Sequence, residues 1–530
     1  MNVSFTAGLN VEELADDPKL LKHLLRGALG ELKEKQLRID ELEHSLAQLL
    51  RWKFGRRSEI VPQEQILFAF VQAFNVTERP AGPDPAASAP RKRKARPHGR
   101  RVVPADLPKE QVLIDLPKED KECRKCGHEL VQIGQDASKQ LDIKPPELLV
   151  RETIRPKYAC HNCEGHGVAI ADLPVAPIPR CLAAPGLLAW TIVQKYQFHI
   201  PLYRQSQIYL SQKVLLSDST LGGWIGQCGK LLQPVHAAMK KDILASEVMN
   251  TDDSPMRVLD PTLPHRTREG RLHTHLGDAN HRHVVYEFSP NHQHHWAQDF
   301  LDPYHGFLQA DAWKGYDALF KTGRMLEVGC WAHGRRYFFE AKESDSERAL
   351  VALAYIHRLY EVEEQARDLS SQERLRMREA YALPILGAFK KWIEQQALAV
   401  LPRTPMAKAL GYAQGQWRAL CRYCQDGRLS IDNNASERSL RSPVLGRKNW
   451  MFFGSDDGGR WAAILYSLVE SAKLNGHNPF EYLRDVISRI ATHPARRILE
   501  LTPAYWKPPL DRARGGAERV EAPRDGPNSS

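Results

Sequence analysis

A multidomain α/β fold is predicted from three observations. The chain has 530 residues, its periodicity changes from helical to strand-like just beyond Glu247, and two Cys-x-x-Cys pairs stand between its helical regions. At roughly 100 to 200 residues per domain, that length implies about three or four units. Apolar residues make up 42% and charged residues 26%, which excludes a wholly disordered or collagenous chain. Lys plus Arg number 74 against 64 Asp plus Glu, a net charge of +10, with a pI near 9.0. Such an excess suits a polyanionic partner, although solvated lysines alone can produce it. Residues 1–10 lack a basic segment followed by an apolar one, and no window approaches the ~20 apolar residues of a membrane span. A cytoplasmic protein without membrane contact is expected. Its nine cysteines are an odd number, which in a reducing compartment favours metal over disulfides.

Residues 15–76 read as a coiled-coil and basic helical region. Leu25, Leu32, Ile39 and Leu46 recur every seven residues, and Leu21, Ala28, Leu42 and Leu49 fill the second seam apart from Lys35. Gly27 and Gly30 weaken the first turns by about 1 kcal/mol each relative to alanine. The stable part is therefore expected from near Glu31. A zipper joining copies of the chain into a homo-oligomer fits this pattern, and so does an amphipathic helix packed on its own domain. Residues 77–111 are a Pro/Ala-rich basic linker. Arg91, Lys92, Arg93 and Lys94 open a run over 91–101 that contains seven cations and no acid. Such a run is a solvated tail or a set of phosphate contacts strengthened by counterion release.

Residues 112–175 form the expected zinc-ribbon-like module. Cys123-x-x-Cys126 is separated by 33 intervening residues from Cys160-x-x-Cys163. Two such knuckles make a tetrahedral four-sulfur site suited to one structural Zn²⁺. Cys421 and Cys424 form a third pair without a partner and read as packing residues in a helical segment. Residues 185–246 read as helical, and 202–208 with 214–224 suggest helix, turn, helix, capped by Ser217 or Asp218. A DNA-reading motif and a plain scaffold both fit.

Residues 247–490 are expected to form an α/β domain, with strands over 248–251, 271–276, 283–288 and 306–310 and a helix over 296–301. Asp252 and Asp311 sit where apolar strands end, and Glu437 lies in the first turn of a helix that Asp432 and Asn433 can cap. Hard divalent ions prefer carboxylate oxygens, and two-metal phosphoryl transfer needs acids from separate elements converging on ions ~3.5 to 4 Å apart. The 125 residues between Asp311 and Glu437 exceed one strand-helix connection, so an all-helical insertion over about 344–423 is predicted. His333, Arg335, Arg336, Arg438, Arg441, Arg447 and Lys448 are close in sequence to these acids. They would neutralise phosphates or decorate helix surfaces; Glu437 with Arg441 would also make an i,i+4 pair worth ~0.3 kcal/mol. Trp450 would pack in the core or stack on an unpaired base. The histidines between His273 and His295 are spaced over several elements and read as structural. Residues 491–530, rich in Pro, Gly and Arg, are expected to be a largely disordered extension.

The segment from Ile431 through Glu437, Arg438 and Arg441, continuing with 446–450, 453–455 and 473–479, resembles the C-terminal block of transposases of the insertion-sequence sixty-six family. Residues 251–255, 306–316 and 330–336 resemble successive blocks of the same family, and the heptads, residues 54–59, the basic linker, the paired Cys-x-x-Cys and 201–204 follow the family's order. This resemblance covers about residues 15 to 490. It implies a ribonuclease-H-like catalytic core with an Asp-Asp-Glu triad at Asp252, Asp311 and Glu437, holding two Mg²⁺ or Mn²⁺ ions. The implied activity is that of a nucleoid-associated DNA transposase that binds terminal inverted repeats, cleaves and joins double-stranded DNA, and works with small accessory proteins of its element. One departure stands out: relatives commonly have Asp-Glu-Thr-Pro where this chain has Asp252-Asp253-Ser254-Pro255. Strand alternation points Asp252 and Asp253 to opposite faces, and the motif match selects Asp252. The competing readings are a non-catalytic DNA-binding regulator and a ribonuclease-H-like nuclease without strand transfer. The zipper predicts that a fragment of residues 1–60 elutes from gel filtration as an oligomer, and a monomer would refute it.

Overall fold

The computed structural model describes residues 26, 27, 29, 30, 32, 35 and 39, and residues 148–158, 169–172 and 175–508. Most of the heptad seam, the linker cations Arg91, Lys92, Arg93 and Lys94, and the cysteines Cys123, Cys126, Cys160 and Cys163 lie outside the described residues. The chain divides into two units, one made of Met1–Asn75 with Thr153–Ser530 and the other of Val76–Glu152. In the second unit the described residues 148–152 have no regular secondary structure, and Leu149 and Val150 are exposed.

In the first unit, the described residues between 26 and 39 are helical and exposed. The helix includes Gly27 and Gly30, since a glycine costs only about 1 kcal/mol and weakens a helix without ending it. An antiparallel two-residue ladder joins Lys157–Tyr158 to Ala169–Ile170. Helix α1 (Pro185–Tyr196) starts on a proline, whose missing N–H is harmless in a first turn. Helices α2 (Leu202–Ser211) and α3 (Asp218–Ile243) follow, and Ser217 Oγ caps α3 by accepting the Thr220 N–H at 3.1 Å.

Five strands make the central sheet: β1 (Val248–Leu259), β2 (Thr267–Leu276), β3 (Val284–Ser289), β4 (Gly306–Gln309) and β5 (Met325–Val328). Their spatial order is β3-β2-β1-β4-β5, antiparallel from β3 to β1 and parallel from β1 to β5. β1 does not stop at Thr251 as expected. Residues 252–259 find antiparallel partners in 267–274, so Asp252 lies within a long strand.

Helix α4 (His294–Leu301) connects β3 to β4. After β5 come α5 (Trp331–Ala341), α6 (Ser346–Gln365), α7 (Ser371–Met377), a π-helical turn at Arg378–Ala382, α8 (Leu383–Ala399), α9 (Pro405–Gly415) and α10 (Trp417–Cys421). The last helices are α11 (Asn434–Trp450), α12 (Asp456–Leu474) and α13 (Pro479–Arg489). The outer strand β3 would present an unpaired edge, and α12 covers it with serines. Ser471 Oγ accepts the Val284 N–H at 2.9 Å and donates to Val284 O at 3.0 Å, while Ser467 Oγ accepts the Tyr286 N–H at 2.8 Å. α12 in turn lies close on α3. A Cβ at Gly226 or Gly229 would come within 2.7 or 2.8 Å of Trp461, so glycine is required there for the approach.

The helices from α6 to α10 build an aromatic core in which Tyr355 stacks on Phe389 at 4.6 Å and Trp331 lies 5.8 Å from the same ring. Buried apolar contacts run without a break from this core to Val248 and Val328 of the sheet. The helical segment is therefore an extension of one core. Cys424 is buried in it and Cys421 packs against it. Residues 491–508 correct the expectation of a tail starting at 491. A 3-10 helix, Ala495–Leu501, is followed by buried Trp506, whose Nε1 donates to Asp485 at 2.8 Å, and Tyr482 Oη donates to Leu501 O at 2.8 Å. Burial of Leu501 and Trp506 outweighs the tail-like composition around them. Among the described residues, no helix is long and apolar enough to cross a membrane.

One buried charge organises the helical segment. Arg378 is fully buried, pairs with Glu363 at 2.7 Å, and donates to Tyr423 O at 2.6 Å and to Asp426 O and Leu429 O at 2.9 Å. Removing it leaves one carboxylate and three carbonyls facing a void. Arg378→Ala should cost roughly 3–5 kcal/mol, read as a lowered urea midpoint at unchanged slope.

Candidate active site

The parallel pairing of β1 with β4 sets Asn250 opposite Gln309, and their side chains meet, Asn250 Nδ2 donating to Gln309 Oε1 at 3.3 Å. Both therefore occupy one face of the sheet. Alternation carries Asp252, two residues beyond Asn250, to that same face; Asp311 follows the end of β4 by two residues and lies near enough for its charge to raise the Asp252 carboxyl. The start of α11 covers this face. Buried Asn433 donates from Nδ2 to Thr251 O at 2.8 Å, and its Oδ1 accepts from Asn250 at 2.9 Å. Gln309 Nε2 donates to Ser430 O at 2.7 Å, and Thr274, the cross-strand partner of Asp252, meets Ser439 Oγ of α11 at 3.0 Å. Glu437, in the first turn of α11, thus belongs to the layer that covers Asp252 and Asp311.

The electrostatics agree with this convergence. Burial raises the Asp252 carboxyl, the neighbouring carboxylates Asp311, Asp253 and Glu437 raise it further, and the Asp253 N–H donating at 2.8 Å opposes them; the result is a pKa pushed up to about 7. Asp311 is also raised, chiefly by burial and by Asp253, against the opposing influence of His333 and His292. Asp253 is engaged elsewhere: its Oδ2 accepts from Arg271 Nη1 at 3.1 Å and lies 3.6 Å from His292 Nε2. His333 Nδ1 and Glu437 Oε1 lie 4.0 Å apart, and each is a buried atom without a hydrogen-bond partner. Oxygen donors that converge without a matching arginine or lysine fit a divalent cation.

The cations divide into two sets. Arg438, Arg441 and Lys448 are exposed, and with Leu445 they recur at three- and four-residue spacing along one face of α11. They make no ion pair among the described residues; in particular, the Glu437–Arg441 pair does not form. Arg447 is half-buried and tied to β1, its Nη1 donating to Pro255 O and approaching Ser254 Oγ at 3.5 Å. On α5, half-buried Arg335 lies over the Phe339 ring at 5.9 Å and Arg336 is exposed. Trp450 sits 5.4 Å from Phe453 with Lys195 over its ring at 4.7 Å. The histidines are packing groups: His275 stacks on Phe300 at 3.9 Å and bonds Thr251 at 3.1 Å, His273 bonds Ser289 at 2.9 Å, and His292 stacks on Trp313 at 4.6 Å.

Sequence reasoning missed Asn250 and Gln309, and it read Asn433 only as a cap of α11, whereas its side chain makes no cap hydrogen bond and reaches β1 instead. A signal was present, because each strand carries an amide two residues before its acid, in Asn250-Thr-Asp252 and Gln309-Ala-Asp311, where a buried face should be apolar.

Residues 180–461, just over half of the chain, match the family described as "Transposase IS66 family". The chain belongs to the IS66 transposase family. Residues 120–164 match the "zinc-finger binding domain of transposase IS66", 467–504 the "IS66 C-terminal element", and 41–112 the "Transposase C of IS166 homeodomain". Among its relatives are three uncharacterized proteins of Sinorhizobium fredii. With y4hP it is 31% identical over 437 residues, 77% of each chain. With y4jD it is 30% identical over 88% of this chain and 94% of the relative, and with y4qI 33% identical over 89% and 90%. These domains support an insertion-sequence transposase. Asp252, Asp311 and Glu437 of this IS66 chain all fall inside 180–461, the paired cysteines fall inside the zinc-finger match, and the C-terminal match reaches into the ordered segment beyond 491, as far as residue 504.

The raised Asp252 pKa links stability to pH. The folded value is about 7 and the ordinary value 3.8, so the folded state holds the extra proton between them. The stabilisation is complete below about 3.8 and is lost as pH rises through about 7. In EDTA, the melting temperature of the wild type should gain on Asp252→Asn as pH falls from 8 to 5, measured by scanning calorimetry. If Asp252 holds a divalent ion, added Mg²⁺ should stabilise the wild type more at pH 8 than at pH 5, because that carboxyl must first lose its proton.

Proposed function

We propose that this chain is the catalytic DNA strand-transfer subunit of its element, binding the terminal inverted repeats as double-stranded DNA and cleaving and joining strands at one two-metal site. The observation that carries the reading is the mutual proximity of Asp252, Asp311 and Glu437, whose negative charges raise the Asp252 carboxyl. A sheet of order β3-β2-β1-β4-β5, antiparallel on one side of β1 and parallel on the other, fits a ribonuclease-H-like core with α6 to α10 inserted between Asp311 and Glu437, its second and third acids.

In this reading Asp252, Asp311 and Glu437 are the oxygen ligands of two Mg²⁺ or Mn²⁺ ions. When bound, such ions acidify an attacking water or DNA 3′-hydroxyl and stabilise the leaving oxygen. Asp252 must give up its proton to become a ligand, which ties metal occupancy to pH. Asn250, Gln309 and Asn433 hold the strands and α11 in register so that the three carboxylates need no rearrangement on binding. Asp253, held by Arg271 and His292, acts as a positioning residue beside the site. The exposed stripe of Arg438, Arg441 and Lys448 would bind phosphates flanking the scissile bond, with Arg336 and Arg335 on the neighbouring helix. Arg447 would act indirectly, by fixing α11 to β1.

The remaining roles rest on sequence. Cys123, Cys126, Cys160 and Cys163 would hold one structural Zn²⁺ in a module that helps recognise the element ends, and Arg91, Lys92, Arg93 and Lys94 would add salt-sensitive phosphate contacts. The N-terminal helix would join copies of the chain. Exposure of 63% at Leu32 and 47% at Ile39, both in the leading heptad seam, supports this, since their own chain leaves them uncovered. Small accessory proteins of the element and a nucleoid location complete the proposal.

Cleavage of a labelled element-end duplex tests the core of it. With Mg²⁺, wild type and Asp253→Asn should nick, whereas Asp252→Asn and Asp311→Asn should lose at least a hundredfold in rate while keeping end binding. Nicking that survives Asp311→Asn would refute the site, and nicking without joining of a 3′-end would identify a nuclease instead.

A further inference from the structure

Cys330 immediately precedes α5, and His333 lies in that helix's first turn, three residues on and on the same face. Glu437 faces them from the first turn of α11. Cys330 Sγ, His333 Nδ1 and a Glu437 carboxylate oxygen all lie within 4.8 Å of one another. The sulfur is buried and accepts the Asn433 N–H at 3.2 Å, a bond that ties it to the cap of α11. Neither the imidazole nitrogen nor the Glu437 oxygen has a hydrogen-bond partner, although both atoms are buried.

Two buried polar atoms left unpartnered cost about 1–3 kcal/mol each, and a cation between them would satisfy both. No arginine or lysine of the described residues bonds either atom. The donor set decides which cation fits. One sulfur, one imidazole nitrogen and one carboxylate oxygen are a poor match for Mg²⁺, which prefers oxygen alone, and a good one for zinc, with bonds of about 2.0 to 2.3 Å. The 4.0 Å between Nδ1 and Oε1 needs only a small closure to reach the edge of such a tetrahedron. Three protein ligands leave a fourth position open.

We propose that Cys330, His333 and Glu437 form a second zinc site, separate from the paired-cysteine module. Glu437 contributes Oε1 to it and leaves its other oxygen for the side of Asp252 and Asp311. The site shares Glu437 with the proposed catalytic centre but does not depend on the strand-transfer reading.

The test is the zinc content of the purified full-length protein, measured by plasma mass spectrometry after dialysis against zinc-free buffer. Wild type should carry one zinc equivalent per chain more than His333→Ala or Cys330→Ser, and Asp252→Asn should match wild type. His333 has 22% of its side chain exposed, so His333→Ala keeps the test alive should Cys330→Ser fail to fold, as read by circular dichroism. In a Cys160→Ser, Cys163→Ser background loaded with Co²⁺, the sulfur-to-cobalt absorption band should persist and then vanish with Cys330→Ser. Zinc content unchanged by His333→Ala and Cys330→Ser would overturn the site. If Mg²⁺-dependent nicking still requires Asp311 in that case, the zinc site alone has failed; if nicking is absent while the zinc equivalent is lost on substitution, the strand-transfer reading has failed and the zinc site stands.

Discussion

The buried side chain of Asn433 fixes the relation between the sheet and everything that reaches over it. Its amide nitrogen bonds Thr251 O and its oxygen accepts from Asn250, so both ends are satisfied only when α11 starts directly above β1. A buried amide left half-paired would cost about 1–3 kcal/mol, which is enough to penalise any shift of the helix by a residue. Glu437 stands one turn further along α11, and its position follows from that of Asn433. The Gln309 bond to Ser430 O repeats the clamp on the neighbouring strand. Polar groups thus set the register where apolar packing alone would tolerate sliding.

The rest of the fold makes this platform rigid. The serines of α12 close the open edge of β3, and the close approach of α3 at Gly226 and Gly229 holds α12 in place. On the other side the helical segment shares its apolar core with β1 and β5, and Arg378 binds its π-helical turn to the chain that returns toward Ile431. The long excursion between Asp311 and Glu437 therefore ends at a fixed point. A loop of the same length without such an anchor would bring α11 back with far greater positional freedom.

Much of this was legible in the sequence, for reasons that are physical. Strand-like runs of Val, Met, Phe and Leu ahead of Asp252 and Asp311 identified the two strands, and long helical periodicity marked the insertion. The Ser217 cap was readable because hydroxyl-bearing residues satisfy the free N–H groups of a first helical turn. The extent of β1 was not legible, since residues 252–259 contain two acids, a proline and an arginine, and become a strand only through pairing with β2. Long-range partners decide strand propensity at such positions. The ordered segment around Trp506 was hidden for a similar reason: its composition resembles a tail, and the surfaces that bury it come from α13 and α3. Asn250, Gln309 and Asn433 were visible as residues but not as a network, because nothing local indicates that polar side chains nearly 60 and more than 180 residues apart will meet.

Asp253 shows why two adjacent acids take different parts. It lies beside Arg271 and His292, so its charge is balanced by the protein itself. Asp252, on the other face, has carboxylates as its charged neighbours, and burial makes their repulsion stronger. A fold selected for stability alone would place a cation there, as it does one residue later. In the proposed site, keeping Asp252 beside Asp311 and Glu437 would lower the stability of the chain before a metal binds. The clamp at Asn433 and the closed β3 edge offset that strain from outside the site, so the carboxylates stay converged rather than relaxing toward solvent. The shorter acid at 253 suits this arrangement, because an aspartate held by Arg271 stays close to β2 and leaves the opposite face of β1 to Asp252 alone.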